Sequence, residues 1–251
     1  MVWFVGAGSG AADLITVRGM RLLEKADVII YTGSLINPEL LDYAKEGARC
    51  LNSAHMTLEQ VISEIEAGQE QGLDIVRLHT GDPCLYGAIR EQMDELAARS
   101  IAFEQCPGVS SFCGAAAAVK AEYTLPGVSQ SVIITRMAGK TPVPDRESIA
   151  RLAEHQTSMV VFLSAGMLDA LQEELIRGGY APDTPAAIVY KATWPDEKVY
   201  RTSLGELAKT GAEMGVSRTA LVLVGRFLGD NYERSLLYDP SFETGYRKAS
   251  H

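Results

Sequence analysis

Short apolar runs alternate along the chain with stretches whose apolar residues recur at helical spacing. This alternation is typical of α/β proteins, because buried strands are almost continuously apolar and their covering helices are apolar on one face. The apolar runs predict strands at residues 2–5, 28–31, 75–79, 103–106, 132–135, 159–163, 187–190 and 221–224.

Several polar residues stand where a helix is expected to begin. Thr16 is suited to cap a helix over residues 17–25, and Asn37 followed by Pro38 has the order of a cap and a first helical residue. Thr57 with Gln60 three residues later predicts a capping box. These signals place helices between the predicted strands, as an α/β fold requires.

The 251 residues are enough for two α/β domains. Pro126-Gly127 interrupts both the helical and the strand pattern, within a boundary region at residues 118–128. We therefore expect an N-terminal α/β domain at residues 1–120, which holds both glycine turns discussed below, and a C-terminal α/β domain at residues 121–251.

Composition narrows the possible partners. A net charge of −9 argues against nucleic acid as a partner, and an anionic small molecule would need local Arg or Lys residues. No apolar run approaches the roughly 18 residues of a membrane span, and no basic leader precedes the first strand, so we expect a cytoplasmic protein. The four cysteines have neither CxxC nor zinc spacing, and no metal site is expected.

The turn Gly6-x-Gly8-x-x-Ala11 follows the first strand and nearly matches a dinucleotide fingerprint. A dinucleotide site also needs a helix that opens at the glycines and an acidic residue that ends the second strand. Here the helical pattern begins only after Thr16, and the second strand ends in Tyr31-Thr32-Gly33. An NAD-dependent oxidoreductase therefore remains only an alternative.

A second turn, HTGDPCLYG at residues 79–87, leaves an apolar strand and enters a helix. Gly81 permits the close approach of a ligand, and the Asp82 carboxylate can accept hydrogen bonds from hydroxyls or an amine. An ordinary Asp-Pro turn before a helix explains the same residues equally well.

Taken together, the motifs resemble the tetrapyrrole methylase family through about residue 228. The motifs that carry this resemblance are VGAGSG, LLEKADVIIYTGSL, VRLHTGDPCLYGAIREQ, CPGVSSF, TLPGVSQSVIITR, ATWPDEKVYRTSL and RTALVLVG. The resemblance implies two α/β domains with S-adenosylmethionine in the cleft between them, usually in a homodimer. The phrases LHTGDPCLYG, YTLPGVSQ and WPDEK resemble one branch of the family, which methylates C11 of the anionic tetrapyrrole precorrin-4, or its cobalt form, in cobalamin biosynthesis.

The resemblance also implies which residues contact the cofactor. In the first domain these are Ser9, which stands where relatives commonly have proline, and Thr80, Gly81, Asp82, Leu85, Ser110 and Ser111. In the second domain they are Leu163 or its neighbour Ser164, Ala192, Thr219 and Ala220. For the carboxylates of the substrate, we expect Arg136 to be the main binding residue, ahead of Arg77, Arg90, Lys140 and Lys191.

No catalytic residue is assigned, because Asp82, His55, His79 and Tyr31 form no recognisable triad or dyad. Methylation at another ring position, an RNA methylase or diphthine synthase within the family, and a non-catalytic tetrapyrrole carrier are the remaining alternatives. The acidic balance disfavours an RNA substrate, and the WPDEK segment favours the cobalamin branch.

Overall fold

A computed structural model describes residues 1–250. The chain forms two compact units, each built on a five-stranded sheet. The first unit comprises Met1–Gly114 and the short segment Ala192–Asp196, and the second comprises Ala115–Lys191 and the residues from Glu197 onward. The boundary expected after residue 120 lies six residues beyond this division, and the sequence pattern did not indicate that Ala192–Asp196 groups with the first unit.

The sheet of the first unit is entirely parallel, in the order β3-β2-β4-β1-β5. Its strands are β1 (Val2–Gly6), β2 (Val28–Tyr31), β3 (Arg49–Asn52), β4 (Ile75–His79) and β5 (Phe103–Cys106). The helices are α1 (Val17–Lys25), α2 (Leu58–Glu70), α3 (Arg90–Ala98) and α4 (Ser111–Val119), and the division between the units falls within α4. Because all strands run in one direction, their carboxyl ends meet at one edge of the sheet.

Each face of this sheet carries its own apolar cluster. Val5, Ile29 and Leu78 pack with Leu23 of α1 on one face. On the other face, the cluster joins strand residues to α2 and α3; it contains Val2, Phe4, Val28, Ile30, Ile75, Val61, Ile62, Ile65, Ile89 and Leu96. Successive strand residues point to opposite faces, so a strand covered on both faces is expected to be almost continuously apolar.

The sheet of the second unit is mixed, in the order β6-β7-β10-β8-β9. Its strands are β6 (Val132–Arg136), β7 (Ser158–Phe162), β8 (Pro185–Tyr190), β9 (Lys198–Ser203) and β10 (Ala220–Val224). Only β6 and β7 pair in parallel. The helices are α5 (Ile149–Ala153), α6 (Leu168–Arg177) and α7 (Leu207–Glu213), and they bury a core that includes Met159, Leu171 and Ile188.

All eight predicted strands are present, with ends within two residues of the predicted ones. The caps are confirmed at Thr16, which accepts a hydrogen bond from the Gly19 N–H, and at Thr57 with Gln60. Asn37 caps a 3-10 helix, Pro38–Tyr43. The strands that the pattern missed, β3 and β9, are edge strands with several exposed residues, so neither has a continuous apolar run.

Within residues 1–250, no helix combines the length and the apolar character of a bilayer-spanning segment.

Candidate functional site

Three turns meet at the carboxyl edge of the first sheet, after the adjacent strands β4, β1 and β5. The Ala7 N–H donates to the His79 carbonyl at 2.7 Å. Gly8 and Gly81 then exchange backbone hydrogen bonds, at 3.2 Å from the Gly8 N–H and 2.9 Å from the Gly81 N–H. The opening glycine turn and the GDP turn are therefore joined by main-chain hydrogen bonds beyond the ends of their strands.

Glycine is required where these turns touch. A Cβ added to Gly108 would lie 2.2 Å from the Gly81 carbonyl oxygen, and one added to Gly6 would lie 2.6 Å from the Gly108 Cα. Gly8 and Gly81 also have φ values of +86° and +62°, a region that favours glycine. The glycines of the opening motif thus serve the packing of one turn against another.

This geometry lacks the parts of a dinucleotide site. A 3-10 turn at Ala12–Leu14 follows the glycines, and the first α-helix begins only at Val17, so no α-helix N-terminus opens at the turn. β2 ends at Tyr31 and is followed by Thr32, which supplies no carboxylate for a ribose. The NAD-dependent alternative therefore has no structural support.

Asp82 links two of the turns through its carboxylate. One oxygen accepts from the Cys84 N–H at 2.8 Å, and the other accepts from the Gly108 N–H at 2.8 Å. Partial burial raises the pKa of Asp82, but the hydrogen bonds from Cys84 and Gly108 outweigh it and hold the pKa below its ordinary value. The carboxylate is therefore ionised at neutral pH and retains lone pairs beyond the two it uses.

The other residues expected to bind cofactor in the first unit lie on these same turns. Thr80 places its hydroxyl 3.4 Å from that of Thr32. The Leu85 N–H donates to the Asp82 carbonyl, Ser110 is buried, and Ser111 begins α4. Gly81 lies close to the Ser110 backbone, since an added Cβ would be 3.5 Å from the Ser110 Cα. A cofactor contact by each of these residues stays a prediction.

Ser9 is tied to the Ala192–Asp196 segment. Its hydroxyl lies 3.0 Å from that of Thr193, which also accepts from the Ala11 N–H at 3.1 Å. A Cβ on Gly10 would lie 2.2 Å from Cδ1 of Trp194, so glycine lets this indole approach. Beside them is a cavity of about 400 Å³, lined by Ala11, Ala12, Asp13, Asn37, Glu39, Tyr43, Thr193, Trp194 and Pro195.

In the second unit, three of the expected cofactor residues lie at adjacent ends of two neighbouring strands. Leu163 directly follows β7, while Thr219 and Ala220 stand at the start of the antiparallel neighbour β10. Leu163 is 66% exposed with φ +53°, and Thr219 has φ +55°. Left-handed backbone at residues with a side chain is concentrated at ligand-binding sites, which agrees with the expectation without testing it.

The two remaining positions are Ser164 and Ala192. Ser164, the alternative to Leu163, is fully buried; its hydroxyl donates to the Phe162 carbonyl and accepts from the Met137 N–H. Ala192 groups by its contacts with the first unit, although it was expected to serve from the second.

Arg136 uses its guanidinium within its own loop. Nη1 donates to the carbonyls of Met137 and Thr141 at 3.0 and 3.2 Å, and Nη2 donates to that of Pro142 at 2.8 Å. Several of the donors expected to hold substrate carboxylates are therefore engaged, and substrate binding by Arg136 stays a prediction. Arg90 is likewise paired, with Asp94, and Arg77 is buried.

No hydrogen bond joins the candidate bases His55, His79, Asp82 and Tyr31 to one another within residues 1–250. His79 is 2% exposed, and burial, together with the charge of Arg77, lowers its pKa to about 3. Its Nε2 has no hydrogen-bond partner among residues 1–250. His55 is exposed on a 3-10 turn. Over the same residues, no cluster of three or more His, Cys, Asp and Glu side chains could hold a metal ion.

Comparison with known proteins gives a consistent relationship over the whole chain. The family model described as Tetrapyrrole (Corrin/Porphyrin) Methylases matches residues 1–208. A relative from Methanocaldococcus jannaschii, named cobalt-precorrin-4 C(11)-methyltransferase, is 50% identical over 99% of this chain and 96% of its own length.

Solved structures agree with the family model. The X-ray structure of a cobalt precorrin-4 methyltransferase, described as a cobalamin biosynthetic enzyme, has a TM-score of 0.89 at 42% identity and covers 91% of this chain and 96% of its own. The uroporphyrin-III C-methyltransferase of Thermus thermophilus, solved with S-adenosylhomocysteine, has a TM-score of 0.76 at 25% identity, over 90% and 92% of the two chains. The chain belongs to the tetrapyrrole methylases.

Proposed function

We propose that this chain transfers the methyl group of S-adenosylmethionine to C11 of precorrin-4 or cobalt-precorrin-4, giving the corresponding precorrin-5. The observation that carries the proposal is 50% identity, over 99% of the chain, to a relative named for the cobalt-precorrin-4 reaction. The WPDEK motif adds support, because its Trp194 and the preceding Thr193 pack on the opening glycine turn.

The first unit offers groups that suit this cofactor. S-adenosylmethionine carries a cationic sulfonium, an ammonium and ribose hydroxyls. The turns present the ionised Asp82 carboxylate, with lone pairs left over, and the hydroxyl residues Thr80, Ser110 and Ser111 beside it. Acceptors of this kind favour cations and hydroxyls, and an open α/β sheet commonly binds ligands beyond the carboxyl ends of its strands.

When bound, the cofactor supplies a methyl group on positively charged sulfur, a good leaving group for in-line displacement. The C11 carbon of the macrocycle would attack the methyl group with an electron pair of its enamine-like pyrrole. The carbon–sulfur bond would break with its pair remaining on sulfur, and the positive charge that passes to the pyrrole would be lost as a proton to solvent. The residues of the chain then have to align donor and acceptor and exclude water, effects worth up to roughly 7–11 kcal/mol in model reactions. Asp82 and the glycine turns, which hydrogen bonds hold together, would form the rigid surface on which the cofactor is aligned.

The substrate carries several carboxylates, so an acidic chain must offer local cations to it. We propose Arg136 as the contact, through the donor positions that its loop does not use, together with Lys140, which is exposed in the same loop. The family resemblance further supports a homodimer, which light scattering in solution tests directly.

Incubation of the purified protein with the tetrapyrrole and with cofactor carrying a ¹³C methyl group tests the reaction. We expect one labelled methyl in the product by mass spectrometry, located at C11 by NMR. A label at another carbon would assign the chain to a different ring position. Calorimetry with S-adenosylhomocysteine and NAD separates the classes, and binding of NAD alone would refute a methyltransferase.

A further inference from the structure

A buried arginine stands on β4, close to the turns described above. Arg77 is 4% exposed and forms no ion pair with a carboxylate within residues 1–250. Its Nη1 donates to the Ile30 carbonyl at 2.7 Å, and its Nε donates to Oε1 of Gln92 at 2.8 Å. Burial without a carboxylate is costly for a guanidinium, and these two hydrogen bonds offset part of that cost.

Gln92 carries the interaction onward. An arginine can only donate hydrogen bonds, so the amide oxygen of Gln92 must face Arg77 and the amide nitrogen must point away. That nitrogen donates to the Ala88 carbonyl at 2.9 Å. Gln92 is itself 6% exposed, and its bond with Arg77 is buried, whereas its bond to the exposed residue Ala88 is only partly buried.

The bond from Gln92 is made to a residue in a disfavoured conformation. Ala88 has φ +48° and Tyr86 has φ +55°, in the left-handed region that side chains disfavour. Between them, a Cβ on Gly87 would lie 2.2 Å from the Pro83 carbonyl oxygen, so the turn closes only with glycine. Such backbone persists when the surroundings over-determine it, and the Gln92 bond is one such restraint.

These residues belong to the segment 83–89, which follows directly on the GDP turn. Its ends are fixed, because Pro83 and Ile89 are buried. Between the ends, Cys84, Ala88 and Tyr86 are exposed, and Tyr86 is 45% exposed. The segment therefore combines exposed side chains with backbone in a disfavoured conformation. It includes Leu85, a predicted cofactor contact.

We propose that Arg77 and Gln92 are positioning residues: Arg77 orients the Gln92 amide, which holds Ala88 in its left-handed conformation and so presets the segment 83–89 for the cofactor. This rests on the proposed function for the identity of the ligand. When only a fraction of molecules holds the competent conformation, the apparent affinity falls by that fraction. Loss of the restraint should therefore weaken cofactor binding while the fold survives.

The substitution Gln92→Glu isolates the restraint. A carboxylate keeps the acceptor for Arg77 and adds a counter-ion, but it cannot donate to the Ala88 carbonyl. We expect the midpoint of thermal unfolding to stay near that of the wild type and S-adenosylhomocysteine to bind about 3- to 10-fold more weakly, the effect of losing one hydrogen bond. In the free protein, amide exchange should quicken in the segment 83–89.

Gln71→Glu is the matched control, because the Gln71 amide also donates to the carbonyl four residues before it, that of Ala67, at 2.8 Å. It should change neither binding nor exchange in the segment 83–89. Adding Ala88→Gly to Gln92→Glu should restore much of the affinity, since glycine adopts this φ without a side-chain clash. Ala88→Val leaves Arg77 and Gln92 intact, but it should loosen the segment in the same way.

Wild-type exchange and affinity in Gln92→Glu would overturn the proposal. If Gln92→Glu does not fold, Gln92→Met, which also lacks the donor, is measured in its place, and Ala88→Val reports only on the strain at Ala88. Faster exchange with unchanged affinity would overturn its functional part. The exchange measurement needs no ligand, so failure of the wild type to bind S-adenosylhomocysteine would refute the proposed cofactor and leave the Gln92 restraint separately measurable.

Discussion

Removal of the Asp82 carboxylate should weaken the fold as well as any ligand site. Asp82→Ala leaves the N–H groups of Cys84 and Gly108 without their 2.8 Å acceptors. A hydrogen bond to a charged group contributes about 1.5–3 kcal/mol, and solvent near this partly exposed carboxylate reduces that value. We expect a loss of about 3 kcal/mol in the free energy of unfolding, or about 6–12 °C in the unfolding midpoint for a chain of this size.

Two comparisons sharpen this prediction. Asp82→Asn keeps one acceptor oxygen but places an NH₂ donor opposite the other backbone N–H. It should therefore lose about half as much stability as Asp82→Ala. The hydrogen bonds lower the folded-state pKa of Asp82 below its ordinary value, so its contribution is present above the unfolded-state pKa and is lost as the pH falls through the folded-state pKa. The stability difference between wild type and Asp82→Ala should therefore shrink below about pH 4.

Thermal unfolding followed by circular dichroism, with calorimetric titration of S-adenosylhomocysteine, measures both effects. An Asp82→Ala variant that unfolds at the wild-type temperature would show that the carboxylate does not hold the two turns together. Loss of affinity without loss of stability would leave Asp82 a ligand residue alone.

The remaining predictions concern a glycine contact, the loop arginine and a buried histidine. Gly108→Ala should prevent stable folding, because its Cβ would lie 2.2 Å from a carbonyl oxygen, whereas Gly245→Ala, with no atom within 4 Å, should be neutral in thermal unfolding. Arg136→Ala should loosen the loop that follows it and raise the KM for the tetrapyrrole, while the affinity for S-adenosylhomocysteine stays near wild type. Arg136→Lys should restore only part of the lost substrate affinity. A wild-type KM in Arg136→Ala would show that Arg136 does not bind the substrate. His79 has its pKa lowered to about 3, so the unfolded chain binds one more proton between that value and about 6.5, and stability should fall by about 1.4 kcal/mol per pH unit on acidification across that range. In His79→Gln, the free energy of unfolding, measured by denaturant titration at several pH values, should fall by about 1.4 kcal/mol less per pH unit than in the wild type. An unchanged pH dependence would contradict the burial argument.

The sequence by itself determined the elements whose causes are local. Thr16 and the pair Thr57 and Gln60 cap helices through bonds to residues three positions away, so their spacing alone identifies them. The buried strands were readable because both faces of the first sheet are covered, which favours almost continuous apolar runs. The motifs also sufficed to recognise the family, since their order and spacing are specific.

Tertiary structure decided what the polar residues of those motifs do. Asp82 accepts a hydrogen bond from Gly108, 26 positions away along the chain. Arg77 donates hydrogen bonds to the Ile30 carbonyl and to Gln92 inside the unit. From the sequence, Asp82 and Arg77 could equally have faced a ligand. A hydrogen-bonding side chain takes the partner that folding brings within about 3 Å, and long-range pairing of strands sets that neighbourhood, which local spacing does not encode.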